Sequence, residues 1–222
     1  MITSGLVRVD GKVVLRPGRP IDTQAEIEVV PSPQFASRGG EKLAAALHSF
    51  DVEPNGLVCL DVGSSTGGFV DCLLKNGALR VHSVDVGHDQ IDPRLRADNR
   101  VIVHERINAR YLEPQDIGEP VDLATLDVAF ISLRLILPPL ADIIAPQGQI
   151  IALIKPQFEV GKDRLPTNGV VRSIDDRRTV LKQIYDFVEH ETPWQAVANI
   201  PSPILGQKGN TEFLVYIRSK PP

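Results

Sequence analysis

Cysteine is nearly absent from this chain, with Cys59 and Cys72 the only two among 222 residues. Two cysteines cannot build a disulfide framework, and each lies in an apolar pattern, one strand-like and one helical, that reads as plain core packing. Five histidines without ligand spacing leave no zinc pattern. Long apolar runs are missing too. The richest stretch, residues 123–145, is interrupted by Asp127, Arg134, Asp142 and the Pro138-Pro139 pair, so no segment is suited to span a bilayer. Met1 is followed by Arg8, Asp10 and Lys12 rather than an apolar leader, and the expected location is cytoplasmic. Nor is there an excess of positive charge. Lys and Arg number 24 against 28 acids, a net charge of -4, which argues against a surface coated for nucleic acid. Residues 1–20 depart from that balance: Arg8, Lys12, Arg16 and Arg19 face the single acid Asp10, a local basic patch able to guide RNA.

What is present is an ordinary globular composition, 42% hydrophobic and 23% charged, which decides against disorder. The length suffices for one well-buried α/β domain and a small appendage. Residues 5–30 read as short β segments, since Val7 and Val9 alternate with polar residues and Asp10-Gly11 supplies a turn. Residues 31–36 open on Pro31-Ser32-Pro33 and read as a linker. Beyond it, strands and helices alternate. A helix is expected over 38–50, with Leu43, Ala46, Leu47 and Phe50 at helical spacing, and a second over 69–74. Short helical turns are expected over 94–98, a mostly helical stretch over 133–144, and a long amphipathic helix from Ser173 to about residue 190. Strands are expected over 57–62, 81–86, 101–104, 123–127, 149–154, 196–200 and 212–217. This alternation predicts a Rossmann-like, mostly parallel seven-stranded sheet with helices on both faces and an antiparallel final strand.

The strongest local motif is Asp61-Val62-Gly63-Ser64-Ser65-Thr66-Gly67-Gly68-Phe69, where the first strand of the sheet turns into its helix. A triphosphate loop would end in Gly-Lys-Ser/Thr and a dinucleotide loop would read Gly-x-Gly-x-x-Gly; neither is present. S-adenosylmethionine, which carries an ammonium and no phosphate, fits best, with Asp61 and backbone carbonyls receiving the ammonium. Asp85, ending the next strand beside Val86, suits the two ribose hydroxyls of an adenosine, and Asn108 after the third strand suits adenine. The plainer reading makes Asp61 a capping residue and Asp85 a strand-terminating turn.

Four more polar residues stand where elements should converge on one sheet edge: Lys42, Asp127, Lys155 and Glu212. Charged residues seldom end buried strands without partners. Methyl transfer from a sulfonium to a hydroxyl is an in-line displacement that needs the hydroxyl oriented and relieved of its proton. A lysine serves as that base only when neutral, a form favoured by a second cation and desolvation and opposed by carboxylates. For each of the four taken alone, a surface salt bridge is the plainer alternative.

The chain resembles the TlyA, or haemolysin A, group of FtsJ-like RNA ribose methyltransferases, in which an RNA-binding S4 domain precedes the methyltransferase domain. The resemblance runs through SRGGEKL from Ser37, DVGSSTGGF from Asp61, VDVG from Val84, LDVAFISL from Leu126, LIKPQFEVGK from Leu153, GVVR from Gly169 and KGNTEFL from Lys208. It implies a Lys-Asp-Lys-Glu tetrad on Lys42, Asp127, Lys155 and Glu212, with Lys155 as base. It also implies a cytidine ribose in ribosomal RNA as the acceptor, a partial S4-like segment over residues 1–30 and a methyltransferase domain over 37–222. The loop 160–172, with Lys162, Arg164 and Arg172, is expected to cover the target nucleotide and meet phosphates. Competing readings are a methyltransferase of small molecules or proteins, favoured by the acidic charge, and a non-catalytic RNA-binding or ribosome-binding module. A membrane-lysing toxin finds no support in an apolar span or a basic amphipathic helix.

Overall fold

The computed structural model describes residues 1–3, 5–30 and 33–220; Pro31 and Ser32 of the expected linker lie outside it, as does the side chain of Lys162. The chain divides into two compact units, Met1–Gln34 and Phe35–Pro222. In the first unit β1 (Val7–Val9), β2 (Lys12–Val13) and β3 (Ile27–Val29) form a small antiparallel sheet in the order β2-β1-β3. Asp10 and Gly11 take the positive φ that the tight β1–β2 turn demands.

The second unit contains α1 (Gly39–Phe50), β4 (Val58–Val62), α2 (Gly68–Lys75), β5 (Arg80–Asp85), α3 (Pro93–Arg96) and β6 (Val101–Glu105). Then follow α4 (Pro114–Ile117), β7 (Val121–Leu126), β8 (Ile144–Ile154), α5 (Pro156–Glu159), α6 (Ile174–Glu191), β9 (Trp194–Pro201) and β10 (Phe213–Ser219). The seven strands from β4 onward form one sheet in the order β6-β5-β4-β7-β8-β10-β9. Pairing is parallel from β6 through β8, while β10 runs antiparallel to both β8 and β9.

Both faces are covered, and each has its own core. Leu43, Ala46 and Leu47 of α1 and Phe69, Val70 and Leu73 of α2 pack on Cys59, Val81, Leu123, Leu153 and Leu214. On the opposite face, Val180, Ile184 and Val188 of α6 pack with Leu60, Val84, Leu126, Ile150 and Val215. Side chains alternate between faces along a strand, so these two sets also fix the facing of every polar residue at the strand ends. Phe35, within the stretch expected to be linker, belongs to the α1/α2 core and is buried.

One stretch differs from expectation. Residues 133–144 do not form a helix: two short 3-10 turns, Leu133–Leu135 and Pro138–Asp142, lie there, and β8 already begins at Ile144. The Pro138-Pro139 pair denies two backbone donors to any continuous helix, while Leu133, Ile136, Leu137 and Leu140 are still buried, which produced the helical-looking pattern.

Candidate active site

Asp61 shares the alternation of Cys59, Asp127 that of Leu123, and Lys155 that of Leu153. Glu212 stands two residues before Leu214, on the same phase. All four therefore face the α1/α2 side. Asp61, Asp127 and Lys155 sit at the carboxyl ends of parallel strands, where α/β sheets bind ligands. Glu212 reaches the same edge because β10 is antiparallel: Phe213 pairs with Ile154. Lys42 comes down from α1.

The structure joins the tetrad as two ion pairs. Lys42 Nζ lies 2.6 Å from Glu212 Oε2, and Lys155 Nζ lies 2.6 Å from Asp127 Oδ1. The first pair is the more enclosed, with Lys42 and Glu212 both buried. Lys42, Lys155 and Asp127 line one cavity of about 320 Å³, together with Asp61, the glycine loop, Ser37 and Arg38. That volume lies in the range of small-molecule sites.

The glycine loop is shaped by close approach. A Cβ on Gly63, at φ 83°, would stand 2.8 Å from the Asp127 carbonyl oxygen, and one on Gly67, at φ 90°, 2.4 Å from Leu95. Asp61 is fully buried; Thr125 Oγ1 donates to its Oδ1 at 2.7 Å, and Oδ2 has no hydrogen-bond partner among the described residues. Burial pushes its carboxyl up to about 8, an effect the Thr125 hydrogen bond opposes and the charges of Asp127 and Asp85 reinforce. Ser64 is buried and its hydroxyl accepts from that of Ser83, whereas Ser65 and Thr66 are exposed at the cavity rim. Phe69 is buried against α1.

Three expected contacts look different in place. Asp85 braces the loops: Oδ2 accepts from Ser65 N at 2.7 Å and Oδ1 from Gly87 N at 2.7 Å. The second of these is the strand-terminating turn of the plainer reading. Each oxygen keeps a second lone pair for a ligand hydroxyl. Val86 is largely exposed beside it. Asn108 Oδ1 accepts from Arg110 N, capping the 3-10 turn Ala109–Tyr111. Asp85, Val86 and Asn108 do not line the cavity that holds Asp127 and Lys155.

Sequence reasoning missed several neighbours. Arg38 lines the cavity and donates from Nη2 to the Leu205 carbonyl at 3.1 Å, tying the start of α1 to the β9–β10 loop. Phe130, three residues after Asp127, is 91% exposed at φ 63° and lies 5.1 Å, centroid to centroid, from Phe158. An aromatic left in solvent on left-handed backbone, one residue from the cavity-lining Ala129, is the kind of signal that only the turn's geometry reveals. In the 160–172 loop, Asn210 holds the backbone of Gly169 and Val171 through two hydrogen bonds of 2.9 Å. Both cysteines are buried, unpaired thiols that desolvation pushes up to about 12. Among the described residues no cluster of His, Cys, Asp and Glu is suited to a metal ion, and no helix is long and apolar enough to cross a membrane.

A doubly covered, mostly parallel sheet with a ligand cavity at its carboxyl edge defines a Rossmann-like methyltransferase fold. The FtsJ-like methyltransferase profile matches residues 35–219, and the chain belongs to that family. It is 42% identical over 219 residues to YqxC of Bacillus subtilis, covering 97% of this chain and 77% of that one. It is 39% identical over 222 residues to the 16S/23S rRNA (cytidine-2'-O)-methyltransferase TlyA of Mycobacterium tuberculosis, covering 99% and 82% respectively. Among solved structures, a Streptococcus thermophilus protein carrying the name hemolysin superposes with a TM-score of 0.83 at 39% identity, covering 99% of this chain and 80% of that one.

Proposed function

We propose that this protein transfers a methyl group from S-adenosylmethionine to a ribose 2'-hydroxyl in ribosomal RNA, with cytidine as the target, as the name of the Mycobacterium tuberculosis relative has it. The observation that carries the reading is that one cavity is lined by Asp61, whose buried Oδ2 has no partner among the described residues, and by the paired Lys155 and Asp127. A partnerless buried acceptor at a glycine loop fits an ammonium-bearing ligand that brings its own donors. Gly63 fits too, because a Cβ there would stand 2.8 Å from the Asp127 carbonyl oxygen, so glycine is what lets the loop turn this close beside the cavity.

When bound, S-adenosylmethionine supplies an electrophilic methyl on a sulfonium. Asp61 receives the ammonium, while Ser64, Ser65, Thr66 and Gly67 to Phe69 shape the wall along it. Asp85 takes the ribose hydroxyls of the adenosine, and Val86 and Asn108 flank its base. At the other side of the cavity Lys155 Nζ would accept the proton that the 2'-hydroxyl gives up on taking the methyl, the sulfonium becoming a neutral thioether. Asp127 orients that amine. Lys42 would add positive charge that stabilises the developing alkoxide, and Glu212 holds Lys42 in place through their 2.6 Å ion pair. With ribosomal RNA or a ribosomal subunit as substrate, the enzyme would act in the cytoplasm, and the basic residues of the first unit would serve as RNA contacts.

Mass-spectrometric mapping of 2'-O-methyl nucleotides tests this, using ribosomal RNA and subunits incubated with S-adenosylmethionine and either wild type or Lys155→Ala. The expected result is a new ribose methyl with wild type alone. Binding of the cofactor without any methylated ribose, on RNA or on either subunit, would transfer the reading to another acceptor.

A further inference from the structure

We propose that Glu159 is a positioning residue for methyl transfer, its buried carboxylate clamping the turn that follows β7 onto the turn that follows β8. This rests on the function proposed above, since it concerns how the Asp127–Lys155 pair is set.

Glu159 closes α5, the single helical turn that starts immediately after Lys155, and only 4% of its surface is exposed. A carboxylate so deep is costly unless its oxygens are occupied. Both are. Oε1 accepts from the Leu133 amide at 2.8 Å and Oε2 from the Ser132 hydroxyl at 2.6 Å. Arg134 Nη2 stands 3.8 Å from Oε2 and donates to the Glu159 carbonyl at 3.4 Å. The partners come from one short segment, residues 132–134, which belongs to the other turn.

Each clamped segment carries one half of the reactive pair. On one side Lys155 is joined to Glu159 by a tight turn in which Phe158 N donates to the Lys155 carbonyl at 2.9 Å. On the other, Asp127 is anchored to β4 by its amide, which donates to the Val62 carbonyl at 3.0 Å, and Ser132 follows five residues later. Between them Phe130 adopts a left-handed φ of 63°, a conformation its own side chain disfavours and that neighbouring contacts must enforce. Glu159 fixes the segment just past it, residues 132–134, and the Phe130–Phe158 pair bridges the same two turns. Glu159 makes its hydrogen bonds to Ser132 and Leu133 and none to Asp61 or to the loop from Gly63 to Gly68, so the clamp bears more directly on the proton-transfer side of the cavity than on the cofactor side.

The test compares wild type with Glu159→Ala, Glu159→Gln and Ser132→Ala. It reads cofactor affinity by calorimetry, melting temperature, kcat and KM on ribosomal RNA, and amide exchange over residues 128–134. In Glu159→Ala, kcat is expected to fall by roughly tenfold to a hundredfold, the scale of a small misplacement of reacting groups. Cofactor affinity stays unchanged, and exchange rises in 128–134 but not in 61–69. Glu159→Gln keeps an acceptor for Leu133 N and an amide able to donate to Ser132 Oγ, so it recovers activity to within about threefold of wild type. Ser132→Ala, which removes one partner and leaves the buried carboxylate otherwise held, shifts kcat in the same direction by less and serves if Glu159→Ala fails to fold. A wild-type kcat in Glu159→Ala, a parallel loss of cofactor affinity, or a glutamine variant as impaired as alanine would overturn the proposal. If wild type itself methylates no RNA, the functional reading fails, and the exchange data alone decide the clamp: protection of 128–134 unchanged by Glu159→Ala refutes it.

Discussion

Thr125 Oγ1 donates to Asp61 Oδ1 at 2.7 Å, and the other oxygen of this fully buried carboxylate has no partner among the described residues. Desolvation pushes the Asp61 carboxyl up to about 8, so without ligand it carries a proton at neutral pH. An ammonium arriving at Oδ2 favours the ionised form. Cofactor binding should therefore release a proton, and affinity should rise with pH by up to about tenfold per unit between pH 6 and 7. Calorimetry in two buffers of different ionisation enthalpy counts the protons directly; zero release with wild type would contradict the assignment of Asp61 to the ammonium.

The same carboxyl sets a stability trend. Its folded value lies above the ordinary 3.8, so between about pH 4 and pH 8 the unfolded chain gives up a proton that the folded chain keeps. Its contribution to stability declines as pH rises through that window and levels off beyond it. Asp61→Asn removes the titration. The variant should melt higher than wild type near pH 8, lose that advantage toward pH 4, and show no melting shift with S-adenosylmethionine at any pH. Parallel melting curves for the two proteins across the window would refute the burial argument.

Lys155→Arg should be as inactive as Lys155→Ala. A guanidinium can keep the ion pair with Asp127 but cannot shed its proton to act as a base. The expected loss in kcat is about a hundredfold or more, with cofactor affinity within about twofold of wild type. A Lys155→Arg enzyme of near-normal kcat would reduce the residue to a charge that orients the substrate.

Phe130 presents an exposed ring beside the cavity-lining Ala129, open to an incoming base. Phe130→Ala should leave stability within about half a kcal/mol. It should weaken RNA use by about fivefold to a hundredfold in kcat/KM, the scale of one lost base stack. Phe130→Trp should retain activity. Equal kcat/KM in wild type and Phe130→Ala would remove this side chain from the RNA surface.

The sheet was legible because its strands are buried on both faces and its loops carry glycine, so period and punctuation agree at residues 57–62 and 81–86. The cavity was legible because strand phase alone puts Asp61, Asp127 and Lys155 on one face. Residues 133–144 misled for the opposite reason: Leu133, Ile136, Leu137 and Leu140 have helical spacing and are buried, yet the proline pair breaks the backbone between them into 3-10 turns. Asp85 was placed correctly on its strand, but the bonds it makes to Ser65 N and Gly87 N depend on how two loops meet. Glu159 and Arg38 take their importance from partners far along the chain, which no local pattern encodes.

Gly68 gives the last prediction, because it lets α1 and α2 meet. A Cβ there would lie 2.1 Å from Ser37 Oγ and 3.0 Å from the Gly40 backbone nitrogen, and that nitrogen has no flexible end to swing aside. Gly68→Ala must push the start of α1 away from α2. Overpacking of this kind costs about 1–3 kcal/mol. Since Arg38 and Lys42 ride on the displaced end and Gly68 lines the cavity, cofactor affinity and kcat should fall with stability. Gly118→Ala provides the contrast: its φ is 83° but nothing lies within 4 Å of the added carbon. It should cost about 1 kcal/mol of backbone strain, with cofactor affinity intact. If the two variants lower stability alike and neither weakens the cofactor, the contact between the helix starts shapes the core and not the site.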